Sequence, residues 1–176
     1  MKKFLTAAFI VALLLAAIVL GMGAQTTAQA KNDYLRIHVR ANSNEQIDQS
    51  VKYKVKDEIV KYITPRIGEC TDKPAAMRVI SGMLEELEEV ADNTLSANGF
   101  NYKSRASVRA EEFPTRVYGD LTLDEGVYDA LIIELGSGTG DNWWCVIYPP
   151  LCFTSATTDV EYRSIIYDII NKFKNR

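Results

Sequence analysis

Tyr34-Leu35-Arg36-Ile37-His38-Val39-Arg40-Ala41 is the stretch from which the fold can be read. Consecutive strand residues point to opposite faces, so Leu35, Ile37, Val39 and Ala41 share one face. Arg36, His38 and Arg40 share the other. This is the pattern of a half-buried strand. Asn42-Ser43-Asn44 breaks it, and Ser43 with Gln46 has capping-box spacing. The period then changes. Ile47, Val51, Val55, Ile59 and Tyr62 form a helical stripe, which Pro65 is expected to end.

Downstream, Ala76, Val79, Ile80, Met83, Leu84, Leu87, Val90, Ala91 and Leu95 recur at three- and four-residue steps. They predict one helix from Lys73 to Asn98, with Asn98-Gly99 as its stop. Glu85, Glu86, Glu88, Glu89 and Asp92 fall on its polar arc and read as a solvated face. Alternation returns from Phe100 to Ala110, with Arg105 and Arg109 opposite the apolar side. Pro114 keeps the extended piece Phe113–Gly119 out of a central ladder. Tyr128–Leu135 and Trp143–Tyr148 read as a hairpin joined by the glycine-rich Gly136–Asn142. A last helix is expected after Thr158, which has capping spacing to Glu161. Its stripe is Tyr162, Ile165, Ile166, Ile169, Ile170 and Phe173. The element order predicts a single α+β domain, a mainly antiparallel sheet with three helices packed on it.

For the whole chain, 176 residues with 47% hydrophobic and 24% charged side chains exclude disordered, collagen-like and coiled-coil classes. Lys2 and Lys3, the apolar run Phe4–Met22 and Ala28-Gln29-Ala30 are the three parts of a signal peptide, with Ala28 and Ala30 as the cleavage signal. The alternative is an uncleaved anchor, because the apolar run approaches bilayer-spanning length. Residues 1–30 are thus the targeting segment and 31–176 the exported domain, with membrane contact only through the former. The chain has 20 Lys+Arg against 23 Asp+Glu; without Lys2 and Lys3 the exported part has 18 against 23, a net of −5. Such a domain does not attract nucleic acid through its overall field. One histidine in the chain argues against most zinc sites and proton relays, and no metal or cofactor is expected.

Export permits disulfides. Among Cys70, Cys145 and Cys152, the chain reversal at Pro149-Pro150 makes Cys145–Cys152 the candidate pair. The alternative is three buried thiols. Gly136-x-Gly138-x-Gly140 leads into an aromatic strand, not a helix, which suits a flexible loop better than a phosphate cradle. Cys145 and His38 are the one conceivable thiol–imidazole pair, and they read as a structural cysteine and a surface histidine. No catalytic residue is assigned. Trp143 and Trp144 must point to opposite sides of the sheet, so helices on one side leave one of them on the other. That tryptophan, with Tyr148, Pro149 and Pro150, is the candidate partner-contact patch.

Leu35-Arg36-Ile37-His38-Val39-Arg40-Ala41-Asn42-Ser43, Phe113-Pro114-Thr115-Arg116-Val117-Tyr118-Gly119 and Asn142-Trp143-Trp144-Cys145-Val146-Ile147-Tyr148-Pro149-Pro150-Leu151-Cys152-Phe153 resemble the stage II sporulation protein R family of endospore-forming Firmicutes. The resemblance covers nearly all of 31–176. It implies a non-enzymatic intercellular signal, secreted from the forespore into the intermembrane space. Its implied partner is the membrane-embedded aspartic protease that removes the pro-sequence of sigma-E. The competing readings from the residues are an exported cysteine hydrolase using Cys145 and a cell-envelope ligand-binding module.

Overall fold

The computed structural model describes residues 33–118 and 121–152. The expected signal segment 1–30 and the expected helix after Thr158 lie outside the described residues. The elements, in chain order, are β1 (Leu35–Arg40), α1 (Gln46–Gly68), α2 (Lys73–Ser81), α3 (Leu84–Ala97), β2 (Ser104–Phe113), β3 (Arg116–Tyr118), β4 (Leu121–Leu123), β5 (Gly126–Leu135) and β6 (Asn142–Tyr148). Four strands form one sheet in the order β2-β5-β1-β6, and β3 and β4 pair in a separate two-stranded sheet. Two of the three ladders are antiparallel, β1–β6 and β2–β5; β1 and β5 run parallel at the centre. The fold is the α+β domain expected.

The helices lie against one face. Leu35, Ile37 and Val39 of β1, Leu131, Ile133 and Leu135 of β5 and Ile147 of β6 pack in one buried cluster with Val55, Ile59, Ile63, Leu87 and Leu95. Alternation along β1 therefore assigns the core as predicted. Among the described residues no helix is long and apolar enough to cross a membrane.

Several expectations need correction. Pro65 does not end α1, which continues to Gly68. Ile63 and Ile67 are both fully buried, so packing of the last turn outweighs the missing backbone bond. Ser43 is not the N-cap. Glu45 occupies that position, and the Ser43 hydroxyl instead donates to the Asp48 carboxylate at 2.6 Å. Asn42 Nδ2 and the Tyr102 hydroxyl donate to the same group at 2.9 and 2.7 Å. Burial alone would raise the Asp48 pKa, but these hydrogen bonds together hold it below the usual carboxylate value.

The helix predicted over Lys73–Asn98 is two helices, broken at Gly82-Met83, where glycine is a weak helix former and Met83 enters the core. Asp72 caps the first, accepting from the Ala75 amide at 2.7 Å. The stop at Asn98-Gly99 stands where expected, with Gly99 at φ +83° and the Phe100 amide donating to Leu95 O at 3.1 Å. The α3 acids do more than face water. Asp92 accepts from the Ser104 amide and Glu88 from the Ala106 amide, both at 2.7 Å. Two carboxylates thereby close part of the β2 edge, which would otherwise expose unpaired N–H groups.

The largest correction concerns the predicted hairpin. β5 and β6 are not neighbours, because β1 lies between them. The 136–141 segment instead closes over the β1–α1 connection. The Ser137 amide donates to Asn42 Oδ1 at 2.9 Å, the Ser137 and Thr139 hydroxyls to Asn42 O at 2.6 and 2.9 Å, and the Gly140 amide to Ala41 O at 2.9 Å. A Cβ on Gly136 would collide with the Asn42 side chain, and one on Gly140 with the Ser43 backbone. The glycines serve close approach of two chain segments, not looseness.

Candidate partner-binding face

The sheet face turned away from the helices is built from the other half of each alternation. β1 supplies Arg36, His38 and Arg40. Across the ladders β6 supplies Trp144, β5 supplies Tyr128, Ala130 and Ile132, and β2 supplies Phe113. Phe113, Tyr128, Ala130 and Ile132 form a second buried cluster, with Tyr34 and Trp144 packed against it. No periodicity in the chain announces this second core. Arg36, His38 and Arg40 read as a wet stripe, yet Arg36 is 0% and His38 3% exposed.

Aromatic rings account for that burial. His38 lies edge-on to Phe113 at 5.8 Å between centroids and beside Trp144 at 5.4 Å. Phe113 meets Tyr128 at 5.9 Å, nearly perpendicular. The Arg36 guanidinium sits over Phe113 at 4.1 Å and Tyr128 at 4.9 Å. From the small sheet, Tyr118 accepts a hydrogen bond from Arg36 Nη2 at 2.9 Å, and Arg116 lies over the Trp144 ring at 4.4 Å. Beside Phe113 opens a cleft of about 560 Å³, lined by Glu112, Phe113, Pro114, Glu125 and Gly126.

The electrostatics are unusual for a buried surface. Nε and Nη1 of Arg36, both ring nitrogens of His38, Nε1 of Trp144 and Oδ1 of Asn142 are buried without a hydrogen-bond partner among the described residues. Unpartnered polar groups inside a fold are few, and each calls for an explanation. Burial pushes the His38 imidazole down to about 4, against the opposing influence of the Asn142 side chain, so the ring is neutral at pH 7. Burial also lowers the pKa of Arg36, with the Tyr118 hydroxyl acting the other way, but a guanidinium keeps its proton. Arg40, further along the same strand face, is paired to both Glu111 and Glu134.

The structure separates the residues of the predicted patch. Trp144 is the tryptophan on the face away from the helices, half-buried under Arg116. Trp143 packs on the helical side, with Lys56 Nζ 5.4 Å from its ring centroid. Tyr148 does not share the Trp144 face. The β1–β6 ladder shifts between Leu35 and Arg36, which pair with Tyr148 and Val146, so Ile147 is an extra residue. That bulge inverts the alternation and sends Tyr148, 5% exposed, into the helix-side core. Pro150 is buried and Pro149 half-buried, so the proline pair is mainly packing material. Phe113, Tyr118, Tyr128 and Arg36 belong to the face and were missed. A tyrosine or arginine at strand spacing looks the same whether it meets water or a ring.

Cys145 and Cys152 are joined by a disulfide, with Cα atoms 5.7 Å apart. The Leu151 amide donates to Val146 O at 3.3 Å where the chain reverses. Cys70 is the free cysteine among the described residues, half-buried on the helical side. Cys145 pairs with Ile37 across the ladder and His38 with Trp144, so Cys145 and His38 project to opposite faces. The geometry thus removes the thiol–imidazole pair a cysteine hydrolase would need. Among the described residues no group of three His, Cys, Asp or Glu could hold a metal ion.

Fold and face together define an α+β domain with a second, aromatic core on the sheet face away from the helices, in which Arg36 and His38 are buried with polar atoms unpartnered among the described residues. Residues 31–158 match the family described as stage II sporulation protein R. The chain is also 34% identical over 161 residues to the stage II sporulation protein R of Bacillus subtilis (strain 168), covering 87% of this chain and 72% of that relative. The chain belongs to the stage II sporulation protein R family. No solved structure matches it.

Proposed function

We propose that this chain is a secreted sporulation signal that activates, by contact, the membrane-embedded aspartic protease processing pro-sigma-E. It is exported from the forespore into the intermembrane space and catalyses nothing itself. Family membership supports the sporulation role. The observation that carries the contact mechanism is the concentration of Trp144, Arg36 and unpartnered polar groups on the face opposite the helices. The half-buried Trp144 gains burial when a partner covers it, and the buried polar groups gain hydrogen bonds if the partner reaches them. Activation then needs only differential binding. A ligand favouring the active protease arrangement by about 2.7 kcal/mol shifts its equilibrium roughly a hundredfold.

The test is co-production of this protein with the candidate protease and pro-sigma-E in non-sporulating cells. Processing should depend on this chain. Trp144→Ala should lower it strongly, because loss of an interfacial tryptophan costs on the order of 2 kcal/mol of binding, roughly thirtyfold. Trp143→Ala, on the helical face, should act through stability and lower the unfolding temperature. Full processing with Trp144→Ala at normal protein levels would refute this face as the contact.

A further inference from the structure

Two arginines on one strand face have opposite surroundings. Arg40 pairs with Glu111 and with Glu134, the latter at 2.8 Å. Arg36, four residues earlier, is fully buried and has no carboxylate within ion-pair distance among the described residues. Its single side-chain hydrogen bond goes to the Tyr118 hydroxyl, a neutral acceptor, and Nε and Nη1 donate to nothing among the described residues. Cation–π contact with Phe113 and Tyr128 offsets part of the cost of burying the charge, but leaves those donors unused. A guanidinium held between rings with free donors is a receptor for a planar anion.

The cover over that receptor is the small β3–β4 sheet, whose strands pair with each other and are seated through Leu123, 4% exposed, and Tyr118, packed against the helix-side cluster. Tyr118 is held down by Arg36 and by a 3.5 Å contact of its hydroxyl with Trp144 O, and Arg116 rests on the Trp144 ring. Arg36 is bonded to Tyr118 of this sheet and lies against Phe113, which also lines the cleft. Glu112 and Glu125 line that cleft and repel a multiply charged anion more than a single carboxylate. We propose that Arg36, in its Phe113–Tyr118–Tyr128 cage, receives an Asp or Glu carboxylate from an acidic segment of the partner protein when the β3–β4 flap opens. This deepens the activator reading for its choice of partner, while the site itself can be tested without the protease.

The purified protein is unfolded thermally in sodium acetate, sodium sulfate and sodium chloride at matched ionic strength and pH, and with an acetyl-Gly-Glu-Gly amide or its Gln analogue. Acetate and the Glu peptide should raise the midpoint saturably; chloride and the Gln peptide should not. Arg36→Met, which replaces a buried ion by an apolar chain of similar length, should stay folded and lose the response. Tyr118→Phe keeps the cage and frees the guanidinium, so it should bind acetate more tightly, and it serves as the test if Arg36→Met fails to fold. In the co-production assay Arg36→Met should lower processing by roughly tenfold or more. An equal response to sulfate, an acetate response unchanged in Arg36→Met, or no response in both wild type and Tyr118→Phe overturns the carboxylate site. Normal processing by Arg36→Met overturns its use by the partner. Absence of processing with the wild type, alongside an Arg36-dependent acetate response, would refute the protease reading and leave the site standing.

Discussion

The two faces of the four-stranded sheet come from the same strands and are built on opposite principles. On the helical face, Leu35, Ile37 and Val39 lie in one apolar cluster with side chains from all three helices. Their neighbours Arg36 and His38 are buried almost as completely, yet among aromatic rings, and both His38 ring nitrogens and two of the three Arg36 side-chain nitrogens have no hydrogen-bond partner among the described residues. Burial on the first face stabilises the fold. Burial on the second desolvates groups that would be better hydrated, so the fold carries a cost there that hydrogen bonds from a partner would offset. A protein that must be recognised gains from such a division, because changes on one face need not disturb the other.

Truncating one residue on each face puts this division to its hardest test. Ile37→Ala removes a fully buried side chain and leaves a cavity, at a cost of ~2–5 kcal/mol. Denaturant unfolding should show that loss, and processing should fall only as far as folded protein does. Trp144→Ala should show the reverse, lost processing with a smaller change in unfolding. Equal loss of stability in both variants would end the division of labour between the faces.

His38 gives a pH test on the same strand. Its imidazole titrates near 4 in the fold and near its ordinary 6.5 when unfolded. Between those values the unfolded chain takes up a proton that the folded one refuses, so stability falls as pH drops from about 6.5 toward 4. The loss is on the order of 3 kcal/mol by pH 4. His38→Phe keeps a ring against Phe113 and Trp144 and removes the proton. Unfolding at pH 7, 5.5 and 4 should show a shallower decline in the variant. An unchanged slope would mean that the imidazole is hydrated in solution.

Gly140→Ala probes the end of the sheet where the two faces meet. Its new methyl would press on the Ser43 backbone, which anchors the start of α1, and should cost about 1–3 kcal/mol by thermal unfolding. A neutral outcome would restore the flexible-loop reading of the glycines. The smallest effect is expected at the paired end of the polar face. Glu111→Gln weakens the contact with Arg40 and Arg109, groups about one-fifth to two-fifths exposed, and should cost about 1 kcal/mol or less. The difference should shrink further in high salt.

Much of this architecture is legible in the order of the residues. Alternation along Leu35–Arg40 names the core face correctly and Asn98-Gly99 marks a helix end, whereas the expected stripe of α1 names Val51, Val55 and Ile59 but misses Val60, Ile63 and Ile67, and its first member, Ile47, is 61% exposed. These are local rules. Strand geometry fixes which side chains share a face, and helix geometry fixes which share a stripe, whatever else the chain does. The short reversal at Pro149-Pro150 similarly places Cys145 near Cys152, because few residues intervene.

What lies against each face is a matter of long-range packing. Insertion of β1 between β5 and β6 turns an expected hairpin into a crossover, since pairing depends on partners far apart in the chain. One extra residue at Ile147 moves Tyr148 from the predicted contact patch into the core, a change of parity that alternation cannot show in advance. Pro65 stays helical because Ile67 is buried beyond it. Alternation alone is enough to point Arg36 and His38 away from the apolar core. Folding was needed to bring Phe113, Tyr118 and Tyr128 around Arg36 and to leave its guanidinium without a carboxylate among the described residues, because periodicity records the direction of a side chain and not what it meets there.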